Sequence, residues 1–151
     1  EHLPQLKPVE RAIDLACGNG VMGLTALSLN VCRKLLLCDE SAMAIASARS
    51  NAQATFPEGD IHFHHGDGLL NYTGPPVELI ICNPPFHLNH TIDETVGRRL
   101  LVQAAGKLTK GGSVCLVANR HLNYSPVLKR EFTRVEKLAQ NSKFIIWQAT
   151  R

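Results

Sequence analysis

Asn83, Pro84, Pro85 and Phe86 set a side-chain amide, two rigid rings and an aromatic in four consecutive positions. The exocyclic amine of a guanine or adenine is a poor nucleophile because its lone pair is delocalised into the ring. The Asn83 side-chain oxygen and the Pro84 carbonyl can each accept one amine N–H. That draws the nitrogen towards tetrahedral geometry, with its lone pair aimed at an electrophilic methyl. The prolines stiffen the loop so that both acceptors are preorganised. Phe86 can stack on the target base, a contact worth about 1 to 3 kcal/mol in single-stranded recognition. A rigid turn after a strand accounts for Asn-Pro-Pro but leaves the adjoining aromatic unexplained.

A second constellation is Asp-Leu-Ala-Cys-Gly-Asn-Gly over residues 14–20. Gly18 and Gly20 let the backbone approach a ligand closely and turn into a helix whose amino end offers free N–H groups, with Cys17 inside the same turn. Gly18 to Gly23 also satisfies the GxGxxG pattern of a nicotinamide dinucleotide site, and Asp39 lies 21 residues beyond Gly18, a spacing that fits either cofactor. Asp14 is placed to hold an ammonium, directly or through water. Asp39 is placed to accept from a ribose diol, and Asp67 from an adenine amine, with residues 65–69 as the loop. Taken alone, Asp67 reads as a turn residue before glycine.

The elements that must position these groups alternate between strand-like and helix-like runs, the mark of an α/β sheet. Residues 11–15 form a short apolar strand breaking into glycine, followed by a helix to about Asn30. Residues 34–39 form a second strand, read as buried on both faces. Ser41 caps an alanine-rich helix reaching about Ala54. Residues 61–64 and 77–82 are the third and fourth strands. Thr91 and Glu94 form a capping box opening a helix with Val96, Leu100, Ala104 and Leu108 at a spacing of four, ended by Gly111-Gly112. Residues 113–118 are a fifth strand, Ser125-Pro126 starts another helix, and residues 134–138 and 143–149 pair through a tight turn. The sum is a doubly wound, Rossmann-like, seven-stranded sheet, mostly parallel, with a carboxy-terminal antiparallel hairpin. Its ligands belong beyond the carboxyl ends of the strands.

At 151 residues and 44% hydrophobic the chain is expected to be one domain with a sizeable core. No run is long enough to cross a bilayer as a helix, which points to a cytoplasmic protein with no membrane partner. Five cysteines, odd in number and without CxxC spacing, read as buried thiols. His62 and His64 fall on one face of the third strand and His65 on the other, with no accompanying ligand spacing, so no metal is expected. The charge is uneven. Residues 1–90 hold 5 Lys and Arg against 9 Asp and Glu, whereas residues 91–151 hold 11 against 4. A cationic cofactor suits the first half and a phosphate backbone the second; solvated helix faces give the same split.

Residues 14–20, Asn-Pro-Pro-Phe-His at 83–87 and Val-Ala-Asn-Arg-His-Leu-Asn-Tyr at 117–124 resemble the catalytic half of the bacterial ribosomal RNA guanine-N2 methyltransferases. The likeness covers nearly the whole chain. The third segment is most similar to the large-subunit branch, and the first two are shared with the small-subunit branch. The resemblance implies a class I S-adenosylmethionine-dependent fold, S-adenosyl-L-methionine as cofactor, and ribosomal RNA or a ribosomal subunit as partner. It implies further that residues 1–151 are a carboxy-terminal catalytic domain whose family also carries an amino-terminal domain aiding RNA binding. Ala16 departs from the family, which often has glycine there. His87 and His90, after the clamp, and Arg120 and His121, at the end of the fifth strand on one side of the sheet, are candidate RNA contacts. No general base is required, because methylation itself makes the amine acidic. Other readings are methylation of DNA adenine or protein glutamine, which use a similar clamp; an NAD-dependent oxidoreductase; and a non-catalytic RNA-binding module.

Overall fold

The computed structural model describes residues 3–85 and 90–151, the side chains of residues 4 and 90–93 excepted. A single turn of 3-10 helix (Leu3–Gln5) leads into β1 (Val9–Leu15), α1 (Val21–Ser28), β2 (Cys32–Asp39), α2 (Ala42–Thr55), β3 (Asp60–His65) and β4 (Val77–Cys82). There follow α3 (His90–Lys107), β5 (Leu108–Asn119), α4 (Ser125–Glu131), β6 (Arg134–Gln140) and β7 (Phe144–Thr150). The seven strands form one sheet in the order β3-β2-β1-β4-β5-β7-β6. The first five are parallel, and β7 runs antiparallel to both β5 and β6. The order reverses between β1 and β4, so a crevice opens above their carboxyl ends.

Alternation along the strands sends side chains to two cores. Ala12, Leu35, Leu37, Leu79 and Ile81 face α1 and α2, meeting Leu24, Ala26, Ile45, Ala48 and Ala52. Ile13, Leu15, Ile80, Val114 and Leu116 face the other way, onto Leu100, Leu101 and Ala104 of α3 and Leu128 of α4. All five cysteines are buried, unpaired thiols whose pKa values burial pushes up. Among the described residues no helix is long and apolar enough to cross a membrane.

Several strands run a few residues beyond the sequence reading, and both ends of α3 differ from it. α3 starts at His90, so Thr91 is already helical and is not the N-cap that a capping box requires; the side chains of residues 90–93 lie outside the described set. The helix also ends at Lys107, four residues before the glycines. Leu108 is already extended and pairs with Val77, whereas the next register pair is Leu79 with Ser113. Residues 109–112 therefore bulge out of the ladder. Gly111, at φ +80, gives its N–H to the Arg151 carbonyl at 3.0 Å, and Gly112 packs so closely that an added Cβ would lie 3.0 Å from the Glu78 carbonyl oxygen. The glycines build a bulge beside the carboxy terminus.

Candidate active site

The crevice contains a cavity of about 290 Å³. Its walls come from the ends of β1 (Ala16, Gly18), β2 (Cys38, Asp39, Glu40, Ser41), β3 (Asp67, Gly68) and β4 (Asn83, Pro85), and from α3 (Val96, Arg99, Leu100).

The turn after β1 is wound tightly. Ala16, Gly18 and Gly20 all have positive φ, at 60, 55 and 81°. At Ala16 this left-handed backbone is strained, since it crowds Cβ against the following carbonyl. Glycine would adopt the same backbone without that cost. Gly20 is the N-cap of α1 and brings no side chain to cap it. Beneath the turn, Asp14 is 1% exposed and its Oδ2 accepts the Gly23 N–H at 2.7 Å. Gly23 is needed for this approach, because a Cβ there would sit 2.9 Å from the Asp14 Cβ and from Leu37. Burial raises the Asp14 pKa to about 7, opposed by the Gly23 N–H and reinforced by the nearby Asp39 charge.

Asp39 ties two loops together. Its Oδ2 accepts the Gly18 N–H at 2.8 Å and its Oδ1 the Ser41 N–H at 2.9 Å. Ser41 in turn caps α2, its hydroxyl accepting the Ala44 N–H at 3.3 Å, as the sequence predicted. After β3, the Arg99 guanidinium donates to Asp67 Oδ2 at 2.8 Å and lies 2.7 Å from Oδ1 as an ion pair, and Oδ1 has no hydrogen-bond partner among the described residues. At the end of β4, the Asn83 side-chain oxygen is buried yet has no hydrogen-bond partner among the described residues. A buried acceptor left unmet is costly, so this oxygen is an acceptor awaiting a donor.

Of the predicted cofactor residues, Gly18, Asp39, Asp67 and Asn83 meet in this one cavity. Asp14, Cys17 and Gly20 do not line it. Asp14 lies under the turn with its carboxylate engaged by Gly23; Cys17 is 7% exposed, its thiol 3.6 Å from the Gly18 carbonyl; and the Gly20 Cα faces Ala48 and Leu37. Asp14, expected to hold an ammonium directly or through water, is thus not in the cavity wall. Pro84 is buried beside Asn83, while Phe86 and His87 fall outside the described residues and His90 is described only in its backbone. Arg120 and His121 stand apart, exposed in the turn after β5, with the Arg120 guanidinium donating to the Asn141 carbonyl at 3.2 Å and the His121 N–H to the Asn119 side chain at 3.0 Å. His62 pairs with Asp60 at 2.8 Å, and His64 meets Tyr72 edge-on. Among the described residues no three His, Cys, Asp or Glu side chains converge as a metal site would require.

Glu40, Ser41, Val96, Arg99 and Leu100 were not anticipated in the cavity wall. Glu40 and Ser41 follow directly from Asp39, so the strand-end rule extended by two residues finds them. Val96 and Leu100 were read as a packing face, and that face turns out to close the cavity as well.

The methyltransferase small domain model matches residues 1–148. Curated relatives named ribosomal RNA large subunit methyltransferase G are 43% identical, from Alcanivorax borkumensis over 149 residues and from Pseudomonas aeruginosa over 148. Each alignment covers 98% of this chain but only 38% and 40% of the relative. The chain thus spans about two fifths of the length of the curated relatives it matches. Among solved structures, the T. thermophilus 16S rRNA N2 methyltransferase RsmC, in complex with AdoMet and guanosine, superposes with a TM-score of 0.83 at 21% identity, over 99% of this chain and 39% of that one. A methyltransferase from Pyrococcus furiosus superposes with a TM-score of 0.77 at 18% identity, over 96% of this chain and 76% of that one. The sheet order with its terminal hairpin is the class I methyltransferase fold, and a family match running over 148 of 151 residues settles the assignment: the chain belongs to the methyltransferase small domain family.

Proposed function

We propose that this chain is the catalytic part of an S-adenosylmethionine-dependent enzyme that methylates the N2 amine of a guanine in ribosomal RNA, in the large subunit. The observation that carries the reading is the unpartnered, buried Asn83 oxygen in the wall of a cavity that also holds Asp39. Among the described residues such an acceptor lacks a donor, and an amine N–H meets that need. The names of the 43% identical relatives and the guanosine bound in the T. thermophilus neighbour support the same substrate class.

The cavity suits a cationic cofactor. Among the described residues, Asp39, Glu40 and Asp67 line it against the single cation Arg99, so the field inside favours positive charge. S-adenosylmethionine supplies an electrophilic methyl there. Asp39 offers its remaining lone pairs to the ribose diol while it holds the Gly18 and Ser41 amides. Asp67 accepts from the adenine amine. Asn83 and the Pro84 carbonyl take the two guanine N–H bonds and localise the lone pair on nitrogen, with Phe86 stacked on the base. The proton released after methylation passes to water. The basic second half, with Arg120 and His121 exposed, supplies phosphate contacts.

The test is transfer of labelled methyl from S-adenosylmethionine to unmodified ribosomal RNA, read as N2-methylguanosine by nucleoside mass spectrometry. Asn83→Ala is expected to reduce transfer by about a hundredfold or more, the scale of losing a preorganised polar group at a reacting centre, with cofactor affinity within a few fold. Label on adenine or on protein would replace the substrate assignment. A large loss of cofactor affinity in the variant would remove Asn83 from the clamp.

A further inference from the structure

The loop that follows β3 is held by α3 at three consecutive positions. Asp67 is gripped by Arg99; Gly68, at φ +56, packs where an added Cβ would lie 2.7 Å from Leu100 and 2.0 Å from the Gln103 side-chain oxygen; and the Leu69 N–H donates to that same oxygen at 2.7 Å. Gln103 and Leu100 therefore fix the loop's backbone. Arg99 does something different, because among the described residues its hydrogen bond and ion pair go to the Asp67 carboxylate and not to the loop's backbone.

A free aspartate carboxylate rotates readily about its terminal bond, whose torsion is broad and two-fold. The planar guanidinium donates to Oδ2 through one nitrogen and sets its second nitrogen 2.7 Å from Oδ1 as an ion pair, so the two contacts fix the carboxylate plane while Oδ1 keeps no hydrogen-bond partner among the described residues. The acceptor sites of Oδ1 therefore remain, now held at a set angle in the cavity wall. The two side chains are 47% and 42% exposed, so the pair contributes little to folding, and its effect is geometric.

We propose that Arg99 is a positioning residue for recognition of the cofactor's base: acting through Asp67, it makes the cavity selective for a 6-amino over a 6-oxo purine. A 6-amino group donates to the fixed carboxylate. A 6-oxo group presents an acceptor to it and is repelled. The inference rests on the S-adenosylmethionine reading above.

Calorimetric titration with S-adenosylhomocysteine and with S-inosylhomocysteine, which carries a carbonyl in place of the amine, tests it. The wild-type chain is expected to prefer the amino compound by about tenfold or more, the scale of one hydrogen bond to a charged group. Arg99→Met loses most of that preference by weakening the amino compound alone, while its melting curve stays that of the wild type. Arg99→Lys recovers part of the preference, since it keeps the charge without the fork. Gln103→Ala, which loosens the loop but spares the ion pair, weakens both compounds together. Arg99→Met weakening both compounds equally, or neither, overturns the proposal. Failure of the wild-type chain to bind either compound overturns the cofactor reading on which it rests.

Discussion

Asp39 carries more of the site than its place in a strand-end pattern suggests. Its two oxygens hold the Gly18 and Ser41 amides, so one carboxylate sets the glycine turn and the start of the α2 segment at once. Replacing Asp39 by Ala removes the proposed ribose acceptor and both tethers. S-adenosylmethionine affinity is expected to fall by about 1 to 3 kcal/mol, the range for hydrogen bonds to a charged group. Asp39→Asn is milder, because its amide oxygen keeps one tether. Unchanged calorimetric affinity in Asp39→Ala would take the residue out of the site. Asp39 was legible from its position after an apolar run, whereas its structural duties were not, since they join residues 21 positions apart. Arg99 was invisible for the same reason: its partner lies 32 positions away, and nothing local marks it among the other cations of the second half.

At the scale of elements, α3 has the most varied work. Its apolar face completes the core against β5, its first half closes the cavity, and Gly97 brings it close to α4. A Cβ at Gly97 would lie 2.1 Å from the Tyr124 hydroxyl oxygen, and Tyr124 is 1% exposed. Glycine to alanine within a helix normally stabilises by about 0.5 to 1 kcal/mol. Here the overlap with a buried ring dominates, as overpacking costs about 1 to 3 kcal/mol. Gly97→Ala is therefore expected to lower the melting temperature, while Gly106→Ala, on the same helix with nothing within 4 Å, raises it. Equal shifts in the two variants would refute close packing at Gly97. Most elements were readable because their periods differ. Strand β4 emerged at residues 77–82 as predicted, since its apolar run is flanked by prolines on both sides. The junction of α3 and β5 was misread because Gly111-Gly112 looks the same as a helix stop and as a bulge. Which one forms depends on the Arg151 carbonyl and on β4, contacts no local window contains.

Across the whole molecule the charge is divided in a way the fold makes functional. The acidic first half contributes the strand ends that line the cavity, and the basic second half contributes α3, α4 and the hairpin. Asp14 sits where that acidic field is least solvated, and its protonation links the site to global stability. In the unfolded chain its carboxyl titrates near 3.8; in the native state burial holds the proton up to about 7. Well below pH 3.8 both states are protonated and the group contributes no difference. As pH rises from about 4 to 7 the unfolded chain releases its proton first, so the native state loses stability by about 1.4 kcal/mol per pH unit from this group, and above 7 the loss levels off. Denaturant unfolding of the free chain is therefore expected to show stability declining across that window, with Asp14→Asn removing this component of the slope. A slope unchanged by the substitution would mean that Asp14 is ionised throughout. A cationic ligand in the cavity favours the carboxylate through the turn, so S-adenosylmethionine binding at pH 6 should release protons from the wild-type chain and fewer from Asp14→Asn. The release is read by titrating in buffers of different ionisation enthalpy. Equal release from both chains would show that the buried acid and the cofactor do not communicate, and would confine Asp14 to holding Gly23 and the turn above it.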